Sequence, residues 1–190
     1  MAKLHYRYSA MNAGKSTALL QVAFNYEEQG KRVVVMTATI DDRYGVGRVT
    51  SRLGVARAAQ VFDKDTEFLS ALRTQDDIAC VLIDEAQFLT AAQVRQLHQV
   101  AHILNVPVIC YGLRSDFLGE AFPGAAALLT LSDDLEEMKT ICSCGRKASM
   151  NMRVDSEGQK VTDGAQVEIG GNSRYRPVCP RCYYGSPVEA

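Results

Sequence analysis

The 190-residue sequence has no excess of charge of either sign, no long apolar run and no internal repeat. Its 21 lysines and arginines balance 22 aspartates and glutamates, so the overall charge gives no reason to expect a nucleic-acid partner. No apolar segment approaches the roughly 20 residues of a membrane-spanning helix, and the first residues lack the apolar core of a secretion signal. We therefore expect a cytoplasmic protein with no membrane partner.

Disulfides are not expected either, because the cytosol keeps thiols reduced. The six cysteines are then core residues, metal ligands or reactive thiols. Two of them, Cys80 and Cys110, lie inside apolar runs. That position is typical of cysteines that pack as small buried hydrophobes, and we predict no chemistry at them.

The other four cysteines form two pairs in the last third of the chain: Cys142, Cys144, Cys179 and Cys182. The second pair has the Cys-x-x-Cys spacing of a zinc knuckle, and the first is one residue shorter. Four thiolates complete the tetrahedral shell of zinc and leave no position for water, so the pattern predicts a structural zinc ribbon. Cys142 is the least typical ligand of the set, and free or redox-active thiols are the alternative.

Near the start, an apolar-alternating run over residues 4–8 is followed by a Gly-Lys-Ser loop and a helical pattern. This order is typical of a phosphate-binding loop, whose backbone N–H groups point at the anion while the lysine adds a charge. The residues predicted to bind phosphate are Ser9, Ala10, Met11, Asn12, Ala13, Gly14, Lys15, Ser16 and Thr17. Ser9 stands where the full motif has glycine, and the alternative is an ordinary helix start with a solvated lysine.

An apolar run at 81–83 ends in Asp84 and Glu85. A nucleoside triphosphate carries Mg²⁺, which prefers oxygen ligands, and the Ser16 hydroxyl with the Asp84 carboxylate would supply them. Glu85 would then accept a proton from an attacking hydroxyl. The alternative is a strand end with two solvated acids.

Residues 39–57 are poor in large apolar side chains and contain three glycines. We predict a long loop there, and long loops in compact domains are usually mobile or functional. Phosphoryl transfer needs extra cations and metal-binding carboxylates. Asp41 and Arg43 are the candidates in this loop, although Asp-Asp-Arg by itself is more often a solvated turn.

Elsewhere, strand and helix patterns alternate. Apolar runs at 33–38 and 106–113 predict buried strands, and an amphipathic pattern from the plausible N-cap Thr90 to about Asn105 predicts a helix. The alternation favours a parallel sheet with helices on both faces, an α/β fold. Beyond about residue 140, short alternating runs and turn residues predict a small β-rich module. We place the boundary near 138–141, giving domains 1–139 and 140–190.

The three histidines have no assigned chemistry. His98 and His102 lie four residues apart on one predicted helix, a spacing that suits a metal. No third ligand is apparent, so we expect them and His5 to be surface or partly buried residues.

Taken together, these pieces resemble the type II thymidine kinases, the zinc-containing family with a phosphate-binding loop. The resemblance covers nearly the whole chain. The matching segments are Ser-Ala-Met-Asn-Ala-Gly-Lys-Ser at 9–16, Asp41-x-Arg43, Asp-Glu-Ala-Gln-Phe at 84–88, Tyr-Gly-Leu-Arg-Ser-Asp-Phe at 111–117, the four cysteines, and Ile-Gly-Gly at 169–171 before Tyr175.

The resemblance implies a phosphate-loop NTPase-type sheet and transfer of the ATP γ-phosphate to the 5′-hydroxyl of thymidine. It implies Ser16, Asp84 and Asp41 at Mg²⁺, Arg43 on the transferring phosphate, and Glu85 as general base. The implied nucleoside-binding residues are Met11, Gln87, Phe88, Leu113, Phe117, Phe122, Gln166, Val167, Glu168, Ile169, Gly170 and Tyr175.

The resemblance also implies a lasso-like loop over about 164–175 that closes on the base and is anchored by structural Zn²⁺. It further implies a homotetramer and feedback inhibition by dTTP. Asn151 falls near the implied pocket with no clear role, and Phe88, Phe117 and Phe122 would otherwise be assigned to the core.

Two other functions compete with this one. The first is a phosphate-loop ATPase whose zinc ribbon binds nucleic acid, which the balanced charge and the lack of a basic, aromatic stripe near the cysteines disfavour. The second is a regulatory nucleotide-binding protein without catalysis, which Glu85 beside Asp84 disfavours.

Overall fold

A computed structural model describes residues 1–40, 46–167 and 174–185. The strands in chain order are β1 (Leu4–Ser9), β2 (Arg32–Ala38), β3 (Arg48–Thr50), β4 (Ala56–Ala58), β5 (Gln60–Phe62), β6 (Ile78–Ile83), β7 (Val108–Leu113), β8 (Asp134–Glu137), β9 (Thr140–Ile141), β10 (Lys147–Ala148), β11 (Met150–Arg153) and β12 (Tyr175–Val178). The helices are α1 (Lys15–Glu28), α2 (Phe68–Arg73), α3 (Ala91–Ile103), α4 (Pro123–Leu131) and α5 (Pro180–Tyr184).

Six of these strands form one sheet in the order β5-β2-β6-β7-β1-β8. Every neighbouring pair in it is parallel, as in the pairing of Ser9 with Leu113 and of Ile83 with Cys110. The predicted parallel sheet is therefore confirmed. Because all strands run the same way, the carboxyl ends of β1, β6 and β7 meet at one edge, where open α/β sheets bind their ligands.

Helices cover both faces of the sheet, as predicted. On one face α1 packs against β2, β6 and β7 through these buried residues: Leu19, Leu20, Ala23, Val33, Val35, Cys80, Leu82, Ile109 and Tyr111. On the other, α2, α3 and α4 cover a larger core that includes Leu4 and Tyr6 of β1. Cys80 and Cys110 are fully buried, which confirms their predicted place in the core.

Helix α3 begins as the sequence predicts. The Thr90 side chain accepts a hydrogen bond from the backbone N–H of Gln93, and the Gln93 side chain accepts one from the N–H of Thr90. This reciprocal pair satisfies two N–H groups that the helix start would otherwise leave unpaired. Thr90 is confirmed as the N-cap.

The prediction that residues 39–57 form one long loop is partly wrong. Residues 41–45 lie outside the described ranges, but β3 pairs antiparallel with β4 as a hairpin. Val49 is buried against the α1 face of the sheet and anchors the hairpin. A three-residue strand with one large apolar residue carries too little periodicity to be recognised.

Strand β8 was also not predicted, because its sequence Asp-Leu-Glu-Glu is mostly charged. It lies at the sheet edge and, among the strands that the structure describes, pairs with β1 alone. Acidic side chains are common on edge strands because they discourage further strand pairing. An edge strand of this kind has no buried face on which an apolar pattern would appear.

Beyond residue 139, the described residues form two short antiparallel strand pairs, β9 with β10 and β11 with β12, followed by α5. Their own apolar cluster contains Cys142, Ala148, Met152, Val154, Val178, Cys179 and Tyr183. The predicted small β-rich module is present. Across the described ranges, the helices are too short or too polar to cross a bilayer.

Candidate functional site

The loop between β1 and α1 has the conformation of a phosphate-binding loop. Gly14, with φ of 79°, occupies the left-handed region that a β-carbon disfavours, and Lys15 begins the helix. Lys15 is only 9% exposed, and its Nζ donates to Ser9 Oγ at 3.0 Å and to the Ala10 carbonyl at 3.2 Å. The lysine therefore lies back across the loop, and the alternative of a solvated lysine is wrong.

The acid pair lies beside this loop. Asp84 follows β6 directly, is buried, and accepts a hydrogen bond from Ser16 Oγ at 3.0 Å. Burial, reinforced by the neighbouring charge of Glu85, raises the pKa of Asp84 to about 7. The alternative of two solvated acids is thus wrong for Asp84. A buried carboxylate next to a hydroxyl forms the oxygen pair that a magnesium ion of a bound nucleotide requires.

Glu85 has a left-handed backbone with φ of 52°, a conformation uncommon for a residue with a side chain. Its Oε2 accepts a hydrogen bond of 2.6 Å from Gln87 Nε2. The same Gln87 side chain accepts one of 3.0 Å from the N–H of Leu113 through Oε1. Gln87 thus links the carboxylate to the end of β7, and this contact orients Glu85.

A cavity of about 640 Å³ extends from the phosphate loop along the acid pair. Of the predicted nucleoside-binding residues, those in the described ranges all line it: Met11, Gln87, Phe88, Leu113, Phe117, Phe122, Gln166, Val167 and Tyr175. Of the predicted phosphate-binding residues, 11–17 line it, while Ser9 and Ala10 are buried beneath the loop. Asp41, Arg43, Glu168, Ile169 and Gly170 lie outside the described residues.

The end of the cavity away from the phosphate loop is aromatic. Phe88 and Phe122 meet edge to face at 5.8 Å, and Phe117 and Tyr175 do so at 6.4 Å between ring centroids. The Arg153 guanidinium lies 3.8 Å from the centroid of Phe117. These rings form an apolar, shape-defined pocket of the kind that stacks a flat heterocycle.

Arg153 also holds the chain that follows β11. Its guanidinium donates to the carbonyls of Asp163 at 2.9 Å and Ala165 at 3.0 Å. Asp163 immediately precedes the segment predicted as a lasso, and Ala165 lies within it. Arg153, which packs on the Phe117 ring, therefore holds the first part of this segment against the aromatic pocket. Within that segment, residues 168–173 lie outside the described part of the chain.

Asn151 connects the two ends of the site, a role that the sequence did not reveal. It is buried; its Oδ1 accepts from the Met11 N–H at 2.8 Å and its Nδ2 donates to the Ser115 carbonyl at 3.0 Å. A lone asparagine carries no signal for such a contact. The nearest clue was its position close to the implied pocket.

Asp116 was also missed. It is buried, lines the cavity and accepts a hydrogen bond from Gln166 Nε2 at 2.9 Å. It stands within the Tyr-Gly-Leu-Arg-Ser-Asp-Phe segment, which was its only sequence signal. Residues 50–53 also line the cavity, brought there by the unpredicted β3–β4 hairpin.

The four paired cysteines come together. Their Sγ atoms all lie within 4.8 Å of one another, and Cys144 and Cys179 are 3.6 Å apart. Burial opposes ionisation of Cys142, but the backbone N–H groups of Cys144 and Cys179 outweigh it and lower the Cys142 pKa to about 6. Tetrahedral Zn–S bonds of about 2.3 Å imply sulfur separations of roughly 3.8 Å. The cluster therefore fits zinc, Cys142 included.

Comparison with known proteins agrees with this geometry. The family model described as thymidine kinase matches residues 2–183. A thymidine kinase of Chromobacterium violaceum is 58% identical over 97% of this chain and 99% of its own length. Thymidine kinases of Albidiferax ferrireducens and Agrobacterium fabrum are 54% and 53% identical, over 97% and 95% of this chain and 93% and 95% of their own.

The chain belongs to the thymidine kinase family. The matched residues include the phosphate loop, the acid pair and all four clustered cysteines. The cysteine module is therefore part of the thymidine kinase match and is not an unrelated appendage. An ATPase with an added nucleic-acid-binding ribbon would not give a match of this extent.

Proposed function

We propose that this chain transfers the γ-phosphate of ATP to the 5′-hydroxyl of thymidine, giving dTMP. Its relatives at 53–58% identity are named thymidine kinases. The observation that carries the proposal is the single cavity of about 640 Å³. It has Lys15, Ser16 and the acid pair at one end and an aromatic pocket at the other, as a reaction between a triphosphate and a nucleoside requires.

At the phosphate end, the N–H groups of residues 11–17 and the Lys15 ammonium hold the triphosphate. When ATP binds, Lys15 exchanges its contacts with Ser9 and Ala10 for phosphate oxygens. Ser16 and Asp84, hydrogen-bonded at 3.0 Å, would hold Mg²⁺ together with Asp41, and the bound ion would supply positive charge to the phosphate oxygens.

Glu85 acts as the general base, and Arg43 stabilises the transferring phosphate. The Glu85 carboxylate lines the cavity beside Asp84, and Gln87 holds it in place. It accepts the proton of the 5′-hydroxyl as that oxygen attacks the γ-phosphorus and ADP leaves. On this proposal the 5′-hydroxyl of thymidine would reach the Glu85 carboxylate from the aromatic end of the cavity.

The thymine ring stacks in the aromatic pocket. The segment 164–175 closes over it, and the backbone of residues 166–170 reads the edge of the base. Closure excludes water that would otherwise take the γ-phosphate. Two sets of hydrogen bonds support the described part of this segment. Gln166 donates to Asp116, and Arg153 donates to the carbonyls of residues 163 and 165.

Structural Zn²⁺ held by the four cysteines anchors the module that carries this segment, within a division of the chain into 1–139 and 140–190. We expect elemental analysis to find zinc that is lost in a Cys179→Ser variant and retained in Cys110→Ala, because Cys110 lies in the sheet core. Zinc content unchanged by Cys179→Ser would remove the cysteines from that role.

A cytoplasmic location rests on the N-terminal sequence and the lack of a long apolar run, and two further features rest on the family resemblance: a homotetramer and inhibition by dTTP. The cavity supports the last of these. A molecule that carries both thymine and a triphosphate has a partner for each end of it, so dTTP would compete with both substrates.

The deciding experiment incubates the protein with labelled ATP, Mg²⁺ and a panel of nucleosides. We expect label in dTMP, with no label transferred to purine nucleosides. DNA-stimulated phosphate release without a nucleoside product would favour an ATPase, and ATP binding without any turnover would favour a regulatory protein.

A further inference from the structure

A second cluster of metal-binding side chains lies at the amino-terminal ends of β1 and β8, whereas the phosphate loop follows the carboxyl end of β1. It contains His98 and His102 of α3 and Asp133, the residue before β8. His102 Nε2 is 2.9 Å from Asp133 Oδ2, and His98 Nε2 is 4.0 Å from Asp133 Oδ1. The two imidazole rings are 4.4 Å apart between centroids. The sequence showed the two histidines at a spacing that suits a metal, and the fold brings Asp133 to them as the third ligand.

The spacing suits a divalent transition metal. The three ligand atoms lie within 4.8 Å of one another. Metal bonds of about 2.0–2.2 Å at tetrahedral angles require ligand atoms roughly 3.3 Å apart. Measured from Asp133 Oδ1, His102 Nε2 is 3.1 Å away and His98 Nε2 is 4.0 Å away, and these distances lie on either side of that value. Small rotations of two partly exposed imidazoles are enough to reach it.

The carboxylate is already fixed in place. Asp133 Oδ2 accepts a hydrogen bond of 2.7 Å from the Leu4 N–H, and the Asp133 N–H donates to the Leu4 carbonyl. The carboxylate is thus anchored to the first residue of β1, and Oδ1 retains lone pairs for a metal.

The helix adds to this arrangement. His98 and His102 occupy the C-terminal half of α3, and His102 lies in its last turn. The carbonyl end of a helix carries partial negative charge, which favours a cation there. Both side chains are about one-third exposed, so an ion can reach them from solvent.

We propose that His98, His102 and Asp133 bind a divalent transition-metal ion of the imidazole-preferring class, Zn²⁺ or Ni²⁺. The ion would link the end of α3 to the connection between α4 and β8. Water would fill the remaining coordination positions, because only three protein ligands are present. The site lies at the Leu4 end of β1, one six-residue strand away from Ser9, so its role is to stabilise the fold and not to take part in phosphoryl transfer.

The test uses tag-free protein whose cysteine cluster is loaded with zinc, titrated with Ni²⁺ by calorimetry. His98→Gln and His102→Gln are compared with His5→Gln. His5 is a similarly exposed histidine paired with Asp134, and it alternates with Leu4 to the other face of the sheet. We expect wild type and His5→Gln to bind one Ni²⁺, and each cluster variant to bind it at least about tenfold more weakly.

Two further readouts distinguish a metal site from a simple histidine–aspartate hydrogen bond. Paramagnetic Ni²⁺ should broaden the imidazole proton resonances of His98 and His102 before those of His5. Added Ni²⁺ should also raise the melting temperature of wild type and not that of the cluster variants. Equal Ni²⁺ affinity in all four proteins, or broadening that begins at His5, would overturn the proposal.

Discussion

The two ends of the cavity are built in different ways. The phosphate end comes almost entirely from nine consecutive residues and one acid pair at a strand end. The nucleoside end is assembled from four distant segments, which supply Phe88, Phe117, Asn151 and Tyr175. Binding an anion needs N–H groups and charge, which one loop can provide, whereas enclosing a flat ring needs walls on several sides.

The two ends also differ in what holds them together. At the phosphate end the side chains are charged: Lys15 and Asp84 are buried, and Glu85 beside them is partly exposed. At the nucleoside end, aromatic edges, the Arg153 guanidinium and the Asn151 amide make the contacts. The phosphate end should therefore respond to pH and charge, and the nucleoside end to loss of shape.

The largest expected effect concerns Glu85, the proposed general base, which lines the cavity next to Asp84. Glu85→Gln should lower kcat by at least about a hundredfold, because the amide cannot accept the proton of the attacking hydroxyl. ATP affinity should remain, since the phosphate loop is unchanged. Steady-state kinetics together with ATP binding by calorimetry would measure both quantities.

Glu28→Gln is the matched control, because Glu28 is exposed at the far end of α1. It should retain wild-type kinetics. Wild-type turnover in Glu85→Gln would remove that residue from the role of base.

The second prediction concerns the electrostatic cost of the phosphate end. Burial raises the pKa of Asp84 to about 7 in the folded protein, against about 3.9 when unfolded. Between these values the folded state keeps a proton that the unfolded state has lost, so stability falls as pH rises from about 4 to 7. In protein free of metal and nucleotide, Asp84→Asn should be more stable than wild type at pH 8, by on the order of 2–4 kcal/mol.

Urea unfolding at pH 5 and pH 8 would measure this difference, which should shrink at the lower pH. The asparagine side chain can still accept from Ser16, so the effect isolates the charge. If the variant is no more stable than wild type at pH 8, folding does not raise the pKa of Asp84. The phosphate end would then lack the cost of a buried charge that distinguishes it from the nucleoside end.

The same contrast explains how much the sequence could predict. The phosphate loop, the acid pair, the parallel sheet and the Thr90 cap depend on short-range patterns, and the structure has each of them. Asn151 meets Met11 across 140 residues, and Asp133 completes the histidine pair across 31. Contacts of that range arise from the folded topology, and no local spacing encodes them. Strand β8 was not predicted for a different reason, because an exposed acidic edge strand has no apolar pattern.

The smallest effect, about tenfold on kcat/KM, is expected at the contact that joins the two ends. Asn151→Ala leaves the Met11 N–H and the Ser115 carbonyl without their partner in a buried site. Because Met11 belongs to the phosphate loop and Ser115 to the segment leading into the aromatic pocket, KM should rise for both ATP and thymidine. Separate titrations of the two substrates would show this.

The exposed Asn25→Ala variant provides the control, since its side chain bonds only to Gln21 on the surface of α1 in the described structure. A lower melting temperature with both KM values unchanged would make Asn151 a purely structural residue. A rise in only one KM would assign it to one end of the cavity, and the two ends would then be independent subsites. A rise in both KM values would show that the buried Asn151 amide positions the phosphate end and the nucleoside end relative to each other.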